Sequence, residues 1–172
     1  MRIKWLFAVI LFLSVNTFAD QPPSWKSFTV ISDNGEWSAL IAPLGDKPNP
    51  WNDNWEIAVY KGHFHPSKTA VWESKYLPSG YSGGYLSNDG KIFSYVEYWF
   101  YKNNSVVDIY LKHCQKSKNG SSFGLKENLE KTISHQLWLN GNGNVSYVER
   151  GEKLYLEIDT VDGIKYIEAA CK

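Results

Sequence analysis

The sequence predicts an all-β fold of mainly antiparallel strands, in which three propeller-blade-like repeats form a partial propeller or an irregular β-sandwich, with one short helix. Three segments carry Asn or Asp beside Gly and continue into β-branched and aromatic residues, the pattern of a tight turn that leads into a strand. Their glycines, Gly35, Gly90 and Gly143, recur at a spacing of about 54 residues, which is typical of propeller blades. Aromatic residues make up 16% of the chain and are the expected core of such a fold.

The first residues have the three parts of a secretion signal. Arg2 and Lys4 carry positive charge, an apolar run covers residues 5–15, and the small Ala19 precedes Asp20. That run is shorter than the roughly 20 residues that span a bilayer. We therefore expect residues 1–19 to be a cleaved signal peptide and residues 20–172 to form a single β-rich domain, periplasmic or secreted, with no membrane attachment.

Further strands are predicted after each turn. A second strand covers residues 55–60 in the first unit, 106–111 in the second and 154–158 in the third, where β-branched and aromatic residues are dense. A third strand is visible at 69–72 and at 164–167 in the two outer units. Three such units are fewer than the usual four to eight blades, so a partial propeller or a sandwich is favoured over a closed ring.

Between the second and third units the pattern changes. Leu125, Leu129 and Ile133 recur every four residues among polar residues, which predicts one short amphipathic helix at 124–133. Gly and Pro concentrate in two connections, at 43–54 and 78–84, which are predicted to be surface loops.

The composition argues against some partners and predicts one covalent cross-link. Lys and Arg number 18 and Asp and Glu also number 18, with no basic block, so nucleic acid is not an expected partner. The two cysteines, Cys114 and Cys171, are expected to pair in the oxidising compartment that an exported chain meets. A reactive thiol at Cys114 beside His113 is the alternative, although neighbouring residues on a strand point to opposite faces.

No motif for catalysis is present, so we expect a protein that is not an enzyme and that uses no cofactor. There is no G-x-S-x-G elbow and no Gly-rich loop that opens a helix to hold phosphate. His63 and His65 could face one side of a strand as metal ligands, but no third ligand is apparent, and a solvated loop is favoured. A glycosidase would need two carboxylates at a set separation, for which Glu97, Asp108 and Glu157 are candidates.

Seven of the eight tryptophans, all except Trp5, lie in the predicted mature chain, and most of them are expected in the core. Trp51, Trp55 and Trp99 flank loops or follow a polar turn. An exposed indole at these positions would stack on a sugar or anchor a protein interface. The alternative function is therefore a glycan-binding or envelope-associated binding module.

Residues 98–105, Tyr-Trp-Phe-Tyr-Lys-Asn-Asn-Ser, form the most distinctive segment. It joins two predicted strands and places bulky aromatics beside a polar tip. It is either a simple hairpin connection or a functional loop whose rigid aromatic base presents a small polar tip to a partner's cleft.

Together with its surroundings, this segment resembles the periplasmic immunity proteins that inhibit peptidoglycan amidase effectors of type VI secretion systems. The resemblance is carried by Ser82-Gly-Gly-Tyr-Leu-Ser-Asn-Asp-Gly90, by the strand after it, by the connection through Ser105, and by Cys114 at the end of the returning strand. A weaker similarity follows at residues 137–143.

The resemblance implies a small, propeller-like inhibitor that pushes a serine-bearing loop into the Cys-His active site of its cognate amidase toxin. On the matching positions that loop would be residues 101–105, with Ser105 as the one serine retained. Aromatic anchors would give affinity, and the polar tip would block the nucleophile and set specificity. The residues expected to form this partner-binding loop are Trp99, Tyr101, Lys102, Asn103, Asn104 and Ser105.

Overall fold

The computed structural model describes residues 26–44, 55–76, 83–125, 129–132, 135–141 and 143–171. The predicted signal peptide, Trp51 and most of the two Gly- and Pro-rich loops lie outside these residues. Within them the chain is antiparallel β structure with one short 3₁₀ turn, so the all-β prediction is confirmed. No helix among the described residues has the length and apolar character needed to cross a membrane.

Thirteen strands are present in the described part of the chain, and the 3₁₀ turn covers Gly120–Phe123. In chain order the strands are β1 Phe28–Ile31, β2 Trp37–Pro43, β3 Trp55–Lys61, β4 Trp72–Tyr76, β5 Tyr85–Leu86, β6 Ile92–Val96, β7 Ser105–Leu111, β8 Cys114–Asn119, β9 Glu130–Lys131, β10 Gln136–Leu137, β11 Val145–Arg150, β12 Lys153–Thr160 and β13 Gly163–Glu168.

The strands form meanders in which neighbours along the chain are neighbours in the sheet. The first sheet has the order β1-β2-β3-β4, the middle sheet β5-β6-β7-β8 and the third sheet β11-β12-β13, and β9 pairs with β10 alone. The predicted second strands of all three units are confirmed. The described strands form separate sheets that do not close on themselves, so the prediction of three propeller-like blades is not confirmed.

The middle sheet is buried on both faces. Side chains alternate between the faces of a strand, and on β6 Phe93 and Tyr95 join a core shared with the first sheet. Ile92, on the opposite face, joins a second core that contains Trp138 and Leu156 and is shared with the third sheet. The middle sheet therefore lies between the other two, which explains why β6 is apolar at nearly every position.

Two predicted elements are wrong. The described residues of 124–133 form no helix, because Gly124 has a left-handed φ of 56° that ends the 3₁₀ turn and Glu130–Lys131 pairs with Gln136–Leu137 as a strand. Leu125 and Leu129 both pack against the second core. The predicted strand at 69–72 is also shifted, because β4 begins at Trp72 and pairs with β3 from there to Tyr76.

The first two repeat turns use the same hydrogen bonds. The amide of Gly35 donates to the carbonyl of Ser32 at 2.8 Å, and the amide of Gly90 donates to that of Ser87 at 2.9 Å. Each serine hydroxyl donates to the carboxylate or amide oxygen two residues later, at 2.7 Å in both turns. The third turn keeps the first of these bonds, since the amide of Gly143 donates to the carbonyl of Asn140 at 2.8 Å. It differs in having Asn140 in place of the serine, and the Asn140 amide donates to the carbonyl of Asp159 of β12 at 3.0 Å.

Replacing Gly90 with alanine is expected to destabilise the protein much more than the same change at Gly35. Both glycines have left-handed backbones, with φ of 68° and 72°, so each substitution costs about 1–2 kcal/mol of backbone strain. A Cβ at Gly90 would lie 2.2 Å from the Trp37 ring, whereas one at Gly35 meets open space. The clash should add about 2 kcal/mol, measured as the difference between the two variants in urea unfolding. Equal losses for the two variants would contradict this contact.

Candidate binding loop

Residues 98–104, which connect β6 to β7, are called the binding loop here. Its tip is exposed at Lys102, Asn103 and Asn104, and Tyr98 at its start is 43% exposed. The loop is not a tight hairpin, since each of its remaining residues is attached to other parts of the chain. These attachments determine how the tip is presented.

A buried carboxylate holds the start of the loop. Glu97 is 4% exposed, and its Oε1 accepts hydrogen bonds from the amides of Tyr98, at 2.9 Å, and Trp99, at 3.3 Å. Its Oε2 accepts a bond from the Tyr95 hydroxyl at 3.1 Å. The Glu97 carbonyl accepts a further bond from the indole N–H of Trp138 at 2.7 Å. The bonds to the carboxyl group and to the backbone carbonyl of Glu97 together fix the first turn of the loop.

The middle of the loop pairs with the β10 segment. Trp99 forms an antiparallel bridge with Leu137, and the amide of Phe100 donates to the carbonyl of Gln136 at 2.8 Å. The Trp99 indole stacks on the His135 imidazole, with ring centroids 4.6 Å apart. Trp99 therefore lies inside the base of the loop, where it supports the tip.

The end of the loop is held by the 3₁₀ turn. The amide of Gly120 donates to the carbonyl of Tyr101 at 3.0 Å, and the amide of Ser121 donates to that of Lys102 at 2.9 Å. A Cβ at Gly120 would lie 2.5 Å from both the Tyr101 carbonyl oxygen and the Phe100 ring. Glycine at position 120 thus permits the backbone contact that fixes the approach to the tip.

The hydroxyl of Ser105 faces the protein's own chain. Ser105 is the first residue of β7, and its Oγ lies 3.0 Å from an Asp108 carboxylate oxygen and 3.1 Å from the Val107 carbonyl. The Ser117 hydroxyl donates to the same oxygen of Asp108. A partner would have to break these bonds to use the hydroxyl, so the groups presented outward are those of Lys102, Asn103 and Asn104.

The expected exposed indoles are not found among the described residues. Trp55 is 2% exposed because it packs into the first core, and Trp99 is 6% exposed and contacts the rings of His135 and Tyr98. Trp51 lies outside the described residues. The prediction of an exposed indole is therefore wrong for Trp55 and Trp99, the two that the structure describes.

The other candidate residues are dispersed. His63 and His65 are exposed in the loop after β3, and the described part of the chain has no group of three or more His, Cys, Asp or Glu arranged to hold a metal ion. Cys114 and Cys171 form the predicted disulfide, with Cα atoms 6.5 Å apart, so Cys114 has no free thiol. The three candidate glycosidase carboxylates accept hydrogen bonds from different hydroxyls: Glu97 from Tyr95, Asp108 from Ser105 and Ser117, and Glu157 from Tyr166.

A pocket of about 640 Å³ lies between the second repeat turn and the β11–β12 hairpin. Tyr147 lines it, and the Tyr147 and Ser94 hydroxyls are 2.6 Å apart. Burial raises the pKa of Tyr147 well above its usual range, so its hydroxyl stays neutral and serves as a structural hydrogen-bonding group.

Sequence reasoning missed the residues that hold the loop. Glu97 was a candidate only for sugar chemistry, while His135 and Gly120 had no assigned role. The sequence feature that could have identified Glu97 is its position at the end of a strand, directly before the aromatic residues 98–101. No protein-family model matches this chain, and comparison with curated proteins and with solved structures finds no significant match.

Proposed function

We propose that the mature chain is a periplasmic immunity protein that binds a secreted peptidoglycan-degrading amidase effector and occludes its active site. The observation that carries this proposal is the binding loop, whose exposed polar tip is flanked by backbone hydrogen bonds from Phe100 to Gln136 and from Gly120 to Tyr101. A small exposed tip on a fixed base suits insertion into a cleft. The three stacked meanders would serve as an open, propeller-like scaffold for it.

The proposed mechanism is steric occlusion. A loop that already has its bound conformation loses little conformational entropy on binding, so more of the contact energy appears as affinity. Asn103 and Asn104 offer amide donors and acceptors to the groups around a Cys-His site, and Lys102 offers a charge. Tyr98, exposed on the loop, is the expected aromatic contact in place of the buried Trp99.

The disulfide between Cys114 and Cys171 supports placement in an oxidising compartment such as the periplasm. It joins the start of β8 to the segment after β13, and so links the middle sheet to the end of the third sheet. The side chain of Lys116 strengthens the same junction, since its Nζ donates to the carbonyl of Glu168 at 3.0 Å.

The test is to measure binding of residues 20–172 to the product of the adjacent gene, together with peptidoglycan hydrolysis by that product with and without residues 20–172. Replacing Lys102, Asn103 and Asn104 together with alanine should weaken binding by about 100-fold and restore hydrolysis, because central interface residues carry most of the binding energy. The melting temperature should stay close to that of wild type, since these side chains are exposed.

The matched control replaces Lys112 and His113 with alanine in the exposed turn between β7 and β8, at the other end of the same sheet. That variant should bind and inhibit as wild type does. Absence of binding by the wild-type chain would refute the proposal. Quenching of Trp or Tyr fluorescence by a soluble peptidoglycan saccharide, with no amidase binding, would instead favour the glycan-binding module.

A further inference from the structure

We infer that a groove between β8 and β13, which begins beside the tip of the binding loop, receives an acidic extended segment of the amidase. This inference rests on the proposed function and adds a second contact surface to it. The groove is defined by two adjoining depressions, of about 370 and 300 Å³, that share Lys118 and Ser122. The first is also lined by Asn103 of the loop tip, and the second reaches β13 at Glu168.

Lysines give the groove its charge. Lys116 and Lys118 lie two residues apart on β8 and line the same depression, while Lys165 lines it from β13. Among the described residues, neither Lys118 nor Lys165 has an ion-pair partner. Lys116 is held in place by the carbonyls of Glu168 and Ala170, at 3.0 and 3.5 Å. Two ammonium groups therefore remain available to a ligand.

Two carboxylates near the groove have partners other than Lys118 and Lys165. Glu168, which also lines the groove, forms an ion pair with Lys153 at 3.0 Å. Asp108 accepts bonds from the hydroxyls of Ser105 and Ser117, both of which line the groove near the loop tip. The groove thus keeps a positive excess although the acidic and basic residues of the whole chain are equal in number, at 18 each.

The 640 Å³ pocket between the second repeat turn and the β11–β12 hairpin has a mixed lining, with Asp89, Glu149 and Glu152 beside Lys153, and Asp89 is paired with Lys91. The groove differs from this pocket in being lined by three lysines and one carboxylate. A positive groove beside the binding loop attracts an acidic partner as the two approach each other. The groove's charge favours an acidic occupant. Because the groove begins beside the tip, a protein bound at the tip would also reach the groove.

The shape of the groove favours an extended segment. β8 and β13 are the last strands of their sheets, so each presents an edge along the groove. The Phe123 and Tyr166 side chains provide apolar surface, and Ser122, whose hydroxyl donates to the Asn119 carbonyl at 2.6 Å, lines both depressions. A strand-like segment with alternating acidic and apolar residues would satisfy both kinds of contact.

The test compares charge reversal inside and outside the groove. The variant K118E/K165E should bind the amidase at least about 30-fold more weakly than wild type, mainly through a slower association rate, and its affinity should depend less on salt. The control K26E/K61E makes the same charge change at two exposed lysines of the first-sheet region and should change affinity by less than about 3-fold.

A second measurement makes the groove testable without the amidase. Titration of ¹⁵N-labelled chain with a synthetic decapeptide of alternating Glu and Val should shift amide resonances of residues 116–123 and 163–168, and K118E/K165E should abolish the shifts.

The two experiments together separate the groove from the proposed function. If wild type fails to bind the amidase but the peptide shifts these residues, the proposed function fails and the acidic-segment site stands. If the amidase binds K118E/K165E as well as it binds the control and the peptide causes no shifts, the groove inference alone is overturned. Shifts caused by a soluble muropeptide and not by the peptide would also overturn it, in favour of a glycan site.

Discussion

Replacing Glu97 with alanine is expected to lower the free energy of unfolding by about 3–5 kcal/mol and to release the binding loop from its fixed conformation. The carboxylate accepts bonds from the amides of Tyr98 and Trp99 and from the Tyr95 hydroxyl, at 2.9, 3.3 and 3.1 Å. Alanine leaves all three donors beside the core without this acceptor, and each unsatisfied buried group costs about 1–3 kcal/mol.

Two measurements separate loss of stability from release of the loop. Urea unfolding gives the change in free energy, and hydrogen exchange of residues 98–104 reports local opening. The control is Glu97→Gln, which keeps the length of the side chain and one carbonyl oxygen. Because that oxygen can still accept from the Tyr98 amide, Glu97→Gln should lose clearly less stability than Glu97→Ala.

Glu97→Ala should weaken inhibition even under conditions in which the variant remains folded. At a temperature where the variant is still folded, a mobile loop must be ordered on binding, so affinity for the amidase should fall although no contact residue has changed. A variant that exchanges amide hydrogens in the loop at the wild-type rate would show that Glu97 does not organise it.

Removing the disulfide is expected to cost about 4 kcal/mol of stability. Cys114 and Cys171 are separated by 57 positions in the sequence, and closing a loop of that length restricts the unfolded chain by roughly this amount in the loop-entropy model. The comparison is urea unfolding of the oxidised mature chain against the double variant C114S/C171S.

Dithiothreitol provides the internal control for that comparison. The reductant should lower the stability of wild type to about the level of the double variant, and it should leave the double variant unchanged. A loss below about 1 kcal/mol in the double variant would mean that the packing of β13 and the Lys116 contacts hold the C-terminal segment without the disulfide.

The binding loop depends on several parts of the chain that are distant in sequence. Its start is fixed by Glu97 and by the Trp138 indole, its middle by Gln136 and its end by Gly120. Because Trp138 is fully buried in the second core, the loop is coupled to the packing between the middle and third sheets. Variants in that core should therefore affect inhibition as well as stability.

The sequence by itself determined the features that depend on local chemistry. Glycine beside Asn or Asp requires a turn with positive φ, and Gly35, Gly90 and Gly143 all adopt one. The β-branched and aromatic runs after these turns became strands, and the two cysteines formed a disulfide. Each of these outcomes follows from a few neighbouring residues or from a simple count.

Only the tertiary structure decided which side chains are presented to a partner. The four-residue spacing at 124–133 fitted a helix, but Glu130–Lys131 pairs as a strand, and Leu125 and Leu129 pack partly buried against the second core. Trp55 and Trp99 flank loops in sequence and are nevertheless buried, Ser105 turns its hydroxyl inward, and Glu97 organises the loop from within. The physical reason is that burial and hydrogen bonding depend on which strands pack together, and those contacts join residues far apart in the chain.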